Sequence, residues 1–458
     1  MTGTAAGRRL LHSVGDLVPQ SFRRRLARLR TAYRVQSADR AFAARDLPDV
    51  TAAEDTPRHV VLVVVDALRT DTVTRELMPT LAELFETDAV APAPWTGPSV
   101  SSLHSGQYPH KHGAIRQNDE VDDATGEGVA LPPILPEDVV TLPELFAGAG
   151  YDTYAGFAFD TPFLALKGRF ETHRLYHNLD CRLLFEDHLD WLERRTGGRT
   201  FSYLHLSDLH EPTDPPEEYW RRHDVDPGIE NLTRWDYTGT EEGAAARRYR
   251  ENKRRLYRAS TDYVDDRVGK FLERLRRQVD EPVCLITSDH GEALWEHSEA
   301  DARRFQDPRG AYAVGHGGTP YEAVARVPIC AVNLEIADGP ASLVDVFPTV
   351  LSRAGVDGPT HESARDLAEP RPADRPLLVE SARYGHEKKA TYQDGYKLLV
   401  SRGDHCSVGY SLPEERETDL PPDVEETLRS ALPPWPDGGQ PRRVDGAVSE
   451  RLEDLGYR

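Results

Sequence analysis

The clearest pattern along the chain is a set of short, unbroken apolar runs separated by stretches with helical spacing. His59-Val-Val-Leu-Val-Val-Val65 is followed at once by Asp66. A β-branched run of this kind, ending in an acid, predicts a strand buried on both faces of a parallel sheet. Met78, Leu81, Leu84 and Phe85 then recur as in a helix. The alternation continues: residues 142–149 read as helix, 151–158 and 201–206 as strands, and 242–278 as a long, charged helix. Val283–Thr287 and 327–332 read as further strands, and 343–354 as a helix beginning near Ser342. Strand–helix alternation over this length predicts a doubly wound α/β sheet.

From about Leu377 the period shortens, and the run 390–400 carries Asp394-Gly395 as a turn. The pattern therefore divides the chain into a helical extension (1–50), an α/β body (57–370) and a small C-terminal α+β subdomain (371–458). Within the last, the stretch 413–439, rich in Pro and acid, reads as an irregular connector, and 448–458 as a closing helix.

Charge changes this picture at one end. The 458 residues carry a net charge of −21, and only seven of the 56 basic residues are lysine. Without a basic face, the body is not expected to bind nucleic acid. Abundant carboxylate with little lysine suits strong salt, where screening shortens self-repulsion to about 3 Å, so a halophile-type cytoplasm is the expected setting. Residues 1–45 differ, with ten arginines against two acids. Phe22, Leu26, Leu29 and Tyr33 recur among those arginines. A basic amphipathic helix over 20–45 is expected either to lie on an anionic membrane at the inner face, to meet an acidic partner, or to pack on its own acidic domain. Four cysteines lie far apart without metal-type spacing, and Cys284 and Cys330 fall inside strand runs, which predicts buried free thiols. No run of 18 apolar residues and no signal-like apolar core is present, so the chain reads as soluble and intracellular.

Ligands of open α/β sheets collect at the carboxyl ends of strands. Asp66 closes the first strand and Asp289-His290 follows Val283–Thr287, which makes these three the candidate metal ligands. Thr96 sits among Pro94, Gly97 and Pro98, a stiff turn able to present a hydroxyl, and the run after Ser99 can start a helix whose amides face an anion. A strand-like stretch leads into Asp208 and His210, and a glycine-rich loop carries His316.

These stretches, in this order, resemble the sulfatase branch of the alkaline phosphatase superfamily from about His59 to the end of the chain. The resemblance is carried by Val63-Val-Val-Asp-Ala-Leu-Arg69, Trp95-Thr-Gly-Pro-Ser99, Gly106-Gln-Tyr-Pro-His-Lys-His-Gly113 and Ser288-Asp-His-Gly-Glu292. Gly315-His-Gly317, Arg326-Val-Pro328, Leu343-Val-Asp-Val-Phe-Pro-Thr349 and Arg451-Leu-Glu-Asp-Leu-Gly-Tyr457 add to it. It implies an alkaline-phosphatase-like mixed sheet and a divalent metal held by Asp66, Thr96, Asp289 and His290. It also implies a nucleophile at Thr96, with His210 and His316 stabilising the transferred group or assisting the leaving oxygen. Lys111 and Asp208 are expected near the substrate. By analogy with two-zinc relatives, Asp208, His210 and His316 are also a candidate second metal set.

The departures from that family refine the expectation. Typical sulfatases carry Cys or Ser where Thr96 stands, oxidised to formylglycine, and an Arg where this chain has Val100. Threonine cannot give that aldehyde, so no formylglycine is expected. The usual Asp-Asp pair is Asp66-Ala67, and His316 stands where many relatives have Lys. Two carboxylates, an imidazole and a hydroxyl favour zinc or manganese over calcium or magnesium. The chain is thus expected to be a metal-dependent hydrolase of sulfate or phosphate esters, phosphodiesters included, acting on a small-molecule, glycan or lipid ester. A phosphoglycerol- or phosphoethanolamine-type phosphotransferase and a catalytically impaired scaffold are the alternatives.

Overall fold

The computed structural model describes residues 20–115, 134–176, 180–235 and 242–435. The apolar run His59–Val65 is strand β1, buried along its whole length. Its even residues Val60, Leu62 and Val64 pack with Leu103, Phe347 and Val350 on one face of the sheet. Its odd residues Val61, Val63 and Val65 join Leu184, Leu256 and Phe271 on the other. Two-sided burial is why the run lacks polar alternation, and each such side chain contributes roughly 1.5–3 kcal/mol.

β1 belongs to a seven-stranded mixed sheet in the order β2-β9-β6-β1-β5-β3-β4. Its other strands are β2 (Phe85–Val90), β3 (Asp152–Phe157), β4 (Thr172–Leu175), β5 (Thr200–Leu206), β6 (Val283–Thr287) and β9 (Arg326–Val332). β1 runs parallel to both β5 and β6, while β9 is antiparallel to β6 and to β2. Helices flank the sheet, among them Thr96–Ser105 and the 35-residue helix Ala244–Gln278. The α/β alternation expected from the pattern is therefore present, with the matched strands of this sheet within one residue and the matched helices within three residues of their expected bounds.

Two expectations are corrected. The helical spacing through Phe85 ends at Leu84: Phe85 opens β2 and is 38% exposed, because the stretch it begins pairs antiparallel with β9. The stretch expected to be an irregular connector holds strand β14 (Arg416–Glu417) and the helix Pro422–Ser430. That helix forms because Leu428 fills a pocket against Leu398 and Val400. The expected helix over 448–458 lies outside the described residues.

A second, five-stranded antiparallel sheet follows: β10 (Leu377–Val379), β11 (Lys388–Gln393), β12 (Tyr396–Ser401), β13 (Cys406–Ser411) and β14. Gln393 pairs with Tyr396, so Asp394 and Gly395 form a two-residue hairpin turn, both at positive φ (51° and 77°). This sheet docks beside the body through Glu380 N–H to the Pro92 carbonyl and Trp95 Nε1–H to the Ser381 carbonyl.

The N-terminal helix is Gln20–Ala43, and its second half packs on the body. Ala38 and Phe42 are buried, Arg34 pairs with Asp160, and Asp39 accepts from the His173 amide. Leu29 and Tyr33, on the expected apolar stripe, stay 59% and 65% exposed. Cys181, Cys284 and Cys330 are buried free thiols and Cys406 is partly exposed.

Candidate active site

Parallel pairing sets the site. Val64 of β1 lies opposite His205 of β5 and Thr287 of β6, so the carboxyl ends of three adjacent strands come level. Asp66 leaves β1, His205 sits one residue from the end of β5, and Asp289-His290 follow β6. All four are fully buried. Donor atoms of Asp66, His205 and Asp289 fall within 4.8 Å of one another. His205 Nε2 lies 3.2 Å from Asp66 Oδ2 and 4.0 Å from Asp289 Oδ2, and His290 Nε2 lies 3.5 Å from the same Asp289 oxygen.

Thr96 opens the helix Thr96–Ser105, with Trp95 as its extended N-cap. Its Oγ1 is 3.3 Å from Asp66 Oδ2 and 3.3 Å from His290 Nε2. The helix begins three residues earlier than expected, so Thr96 itself stands where the positive end of the helix dipole meets the site. Val100 is buried in the core one turn on.

Four histidines offer the same nitrogen. His290 Nδ1–H donates to the Gly291 carbonyl (2.9 Å) and His210 Nδ1–H to that of Glu211 (2.8 Å). His205 Nδ1 is joined to Tyr203 Oη at 2.6 Å, and His316 Nδ1 to Glu292 Oε2 at 3.1 Å. With Nδ1 engaged, each ring is left with Nε2 for the site. The His316 ring lies 4.3 Å from His290 and 5.2 Å from His210, centroid to centroid.

The electrostatics fit a cation. Burial alone would raise the Asp66 carboxyl, but the imidazoles of His210, His205 and His290 hold it well below the usual range. For His290, burial is outweighed by Asp289 and Asp66, which raise it. Burial, then His290 and His210, push His316 well down. Burial drives Glu292 up to about 7. Among the described residues, Asp66 Oδ1 and Asp289 Oδ2 are buried with no hydrogen-bond partner. Orphaned carboxylate oxygens facing a mixed N/O donor set are what a divalent ion satisfies, so the residues present fit one.

The structure thus brings Asp66, Thr96, Asp289, His290, His210 and His316 together. It turns one expected residue elsewhere. Asp208 is buried with Oδ1 accepting the Cys181 amide at 3.1 Å, at the start of the helix Cys181–Glu193, and burial raises it to about 7. Its donor group is therefore Asp180, Cys181 and Asp208, separate from the Asp66 set, so a second metal shared with His210 and His316 is not supported. Lys111 stands exposed on the short helix Pro109–His112. The residue that sequence reasoning missed is His205. Its only signal was its place one residue before the end of a buried strand that pairs with β1.

Comparison with known proteins agrees with this fold. The Sulfatase family model matches residues 58–356. An uncharacterized sulfatase of Escherichia coli (strain K12), YidJ, is 28% identical over 137 residues, covering 28% of this chain and 24% of that protein. A choline-sulfatase of Rhizobium meliloti (strain 1021) is 32% identical over 109 residues, covering 22% and 18%. The aligned stretches thus span a quarter or less of these curated relatives. The solved phosphonate monoester hydrolase of Agrobacterium radiobacter shares the fold, with a TM-score of 0.59 at 15% identity over 88% of this chain and 96% of that one.

Proposed function

The chain belongs to the sulfatase family, and from that premise we propose that it is a metal-dependent hydrolase of sulfate or phosphate esters with Thr96 as nucleophile. The observation that carries the reading is the convergence of Thr96 Oγ1 on Asp66 and His290, both at 3.3 Å. Asp66, Asp289, His290 and His205 would hold the ion, zinc or manganese by their mixed N/O chemistry. When bound, such an ion lowers the pKa of the threonine hydroxyl and draws charge from the ester oxygens.

The chain's own residues do the rest. Thr96 Oγ forms a bond to phosphorus or sulfur while the bond to the leaving oxygen breaks, giving an ester of Thr96. His210 and His316, with Nε2 free, take up and return the protons involved, and water then cleaves the threonine ester. The amides at the start of the helix Thr96–Ser105 face the developing negative charge. No formylglycine enters the scheme, and the substrate class is a small-molecule, glycan or lipid ester.

The test is to purify the protein in high salt, measure bound metal, and assay p-nitrophenyl sulfate, a phosphate monoester and a phosphodiester with wild type and Thr96→Ala. Turnover that survives Thr96→Ala would remove Thr96 as nucleophile. Absence of both metal and turnover in wild type would favour the scaffold alternative.

We place the protein in a high-salt cytoplasm, with the helix Gln20–Ala43 against an anionic inner membrane surface. Leu29 and Tyr33, exposed beside the exposed Arg28 and Arg30, support that placement.

A further inference from the structure

Of the four histidines at the site, three have Nδ1 tied to a neutral oxygen, either a backbone carbonyl or the Tyr203 hydroxyl. His316 alone among them has Nδ1 on a carboxylate, Glu292 Oε2 at 3.1 Å. We propose that Glu292 is a positioning residue that holds His316 with its proton on Nδ1, so that Nε2 carries the proton released by Thr96 to the leaving oxygen. The inference rests on the ester-hydrolase reading above for its catalytic consequence, though not for the geometry.

The arrangement is built by the backbone. The short strands β7 (Ala293–Leu294) and β8 (Val314–Gly315) pair antiparallel, with Ala293 opposite Gly315. Continuing that register by one residue sets Glu292 opposite His316. Glu292 directly follows the Asp289-His290-Gly291 segment, so the ladder ties the His316 loop to the metal-ligand turn. Gly317 N–H donates to the Pro94 carbonyl at 2.6 Å, tying the other side of the loop to the Thr96 turn. His316 is therefore braced between the two segments that carry the nucleophile and the ligands.

Behind Glu292 lies a cavity of about 10 Å³, lined in part by Lys253, Glu211 and Trp235, with room for one water. Lys253 is 3% exposed and reaches it from the helix Ala244–Gln278, donating to the Leu232 carbonyl at 3.0 Å. It thus shares the lining of this cavity with Glu292, whose carboxyl its charge lowers against the effect of burial.

The chemistry follows the logic of a nucleophile–imidazole–carboxylate triad. His316 begins neutral with Nε2 bare and takes the Thr96 hydroxyl proton as the Oγ–P or Oγ–S bond forms. The imidazolium, stabilised by Glu292, gives that proton to the leaving oxygen as its bond breaks. In the second half, His316 takes a proton from the attacking water and returns it to Thr96 Oγ as the threonine ester is released. Proton and electron pairs balance without another reactant.

Two measurements test this on the full chain. The first needs no turnover: long-range ¹⁵N–¹H spectra of histidine-labelled wild type, with His316 assigned by its loss in His316→Ala. We expect neutral His316 to be Nδ1-protonated, the form less favoured in water; an Nε2-protonated ring overturns the proposal whatever the activity. The second compares turnover of an alkyl ester with that of the p-nitrophenyl ester, whose leaving group needs no proton. Glu292→Gln and His316→Ala should each lower alkyl-ester turnover by about 100-fold or more and p-nitrophenyl-ester turnover by a factor about 10-fold smaller, since the base role toward Thr96 and water is lost on both esters but the proton to the leaving oxygen matters for the alkyl ester alone. Glu292→Asp should recover part of the loss, bound metal should stay at the wild-type level, and the double variant should be no worse than His316→Ala. Equal losses on both esters, or multiplying losses in the double variant, would show a merely structural Glu292 and overturn the catalytic claim. A wild type inactive on every ester, with His316 in the Nδ1-protonated form, would overturn the ester-hydrolase reading and leave the positioning role standing.

Discussion

Replacing His104 by phenylalanine should flatten the acid side of the stability profile. The ring sits on the helix that Thr96 opens, edge-on to Tyr203 at 4.5 Å and to Phe170 at 5.9 Å. It is fully buried, and among the described residues neither ring nitrogen has a hydrogen-bond partner. Burial, with the positive potential of His205 added, drives its pKa down to about 3, against about 6.5 for a free histidine. As pH falls through about 6.5 the unfolded chain takes up a proton there that the native ring refuses until about 3. Throughout that window the unfolded state binds one proton more, so stability drops by about 1.4 kcal/mol per pH unit. Between pH 7 and pH 5 the cost is about 2 kcal/mol. Glu292 and Asp208, which burial raises to about 7, act in the opposite sense: their contribution is present at low pH and lost as pH rises through 7. The raw profile of the wild type is therefore a sum, but those groups cancel in the difference between wild type and His104→Phe. Any packing cost of the larger ring is the same at both pH values. Urea unfolding at pH 7 and pH 5 should show the variant gaining on the wild type by about 2 kcal/mol over that interval. A gap that stays constant would refute the argument that this ring is kept neutral by burial.

Three further outcomes are expected. Tyr203→Phe removes the hydroxyl that joins His205 Nδ1 at 2.6 Å and should weaken metal binding about 10- to 100-fold in a chelator competition; unchanged affinity would take His205 out of the ligand set. Gly395→Ala meets no atom within 4 Å but must hold φ near +77°, so thermal unfolding should report a loss of about 1–2 kcal/mol, and a larger loss would point to a hidden packing role for the turn. Leu29→Glu with Tyr33→Glu should abolish flotation with anionic vesicles while leaving the docked half of the helix intact, and equal flotation of wild type and variant would remove the proposed membrane contact.

The body of the fold was legible because two-sided burial writes itself into sequence. β1 and β6 are unbroken apolar runs, and the strands and helices around them follow with bounds shifted by at most three residues. The Asp394-Gly395 hairpin was legible for a different reason, since few other residue pairs accept two consecutive left-handed conformations. What escaped was whatever depends on a partner far along the chain. β2 looked like the end of a helix because its Phe85 follows in phase with Leu81 and Leu84, and only pairing with β9 makes it a strand. The helix Pro422–Ser430 is short and acidic, and its one fully buried anchor, Leu428, acquires meaning only over Leu398 and Val400.

The site divides along the same line. Asp66, Asp289 and His290 could be read from sequence because each follows directly on the strand that aims it. His205 could not, because an imidazole inside a buried strand is indistinguishable from a core residue until the register sets it opposite Val64, beside the strand that delivers Asp66. Asp208 and His210 show the converse: two residues apart, they suggested one cluster, yet the chain turns between them. The carboxylate goes to the Cys181 amide, and His210 stands with its ring 5.2 Å from that of His316. Proximity in sequence is thus a weak guide at the end of a strand, where one residue reverses the direction of a side chain. The order β6-β1-β5 is the stronger determinant, since it sets the carboxyl ends of these three parallel strands side by side and brings residues over 200 positions apart into one candidate set of ligands. Ala67 stands where a second carboxylate is usual, and in the proposed site the neighbouring strand brings a nitrogen donor to within 3.2 Å of Asp66 in its stead.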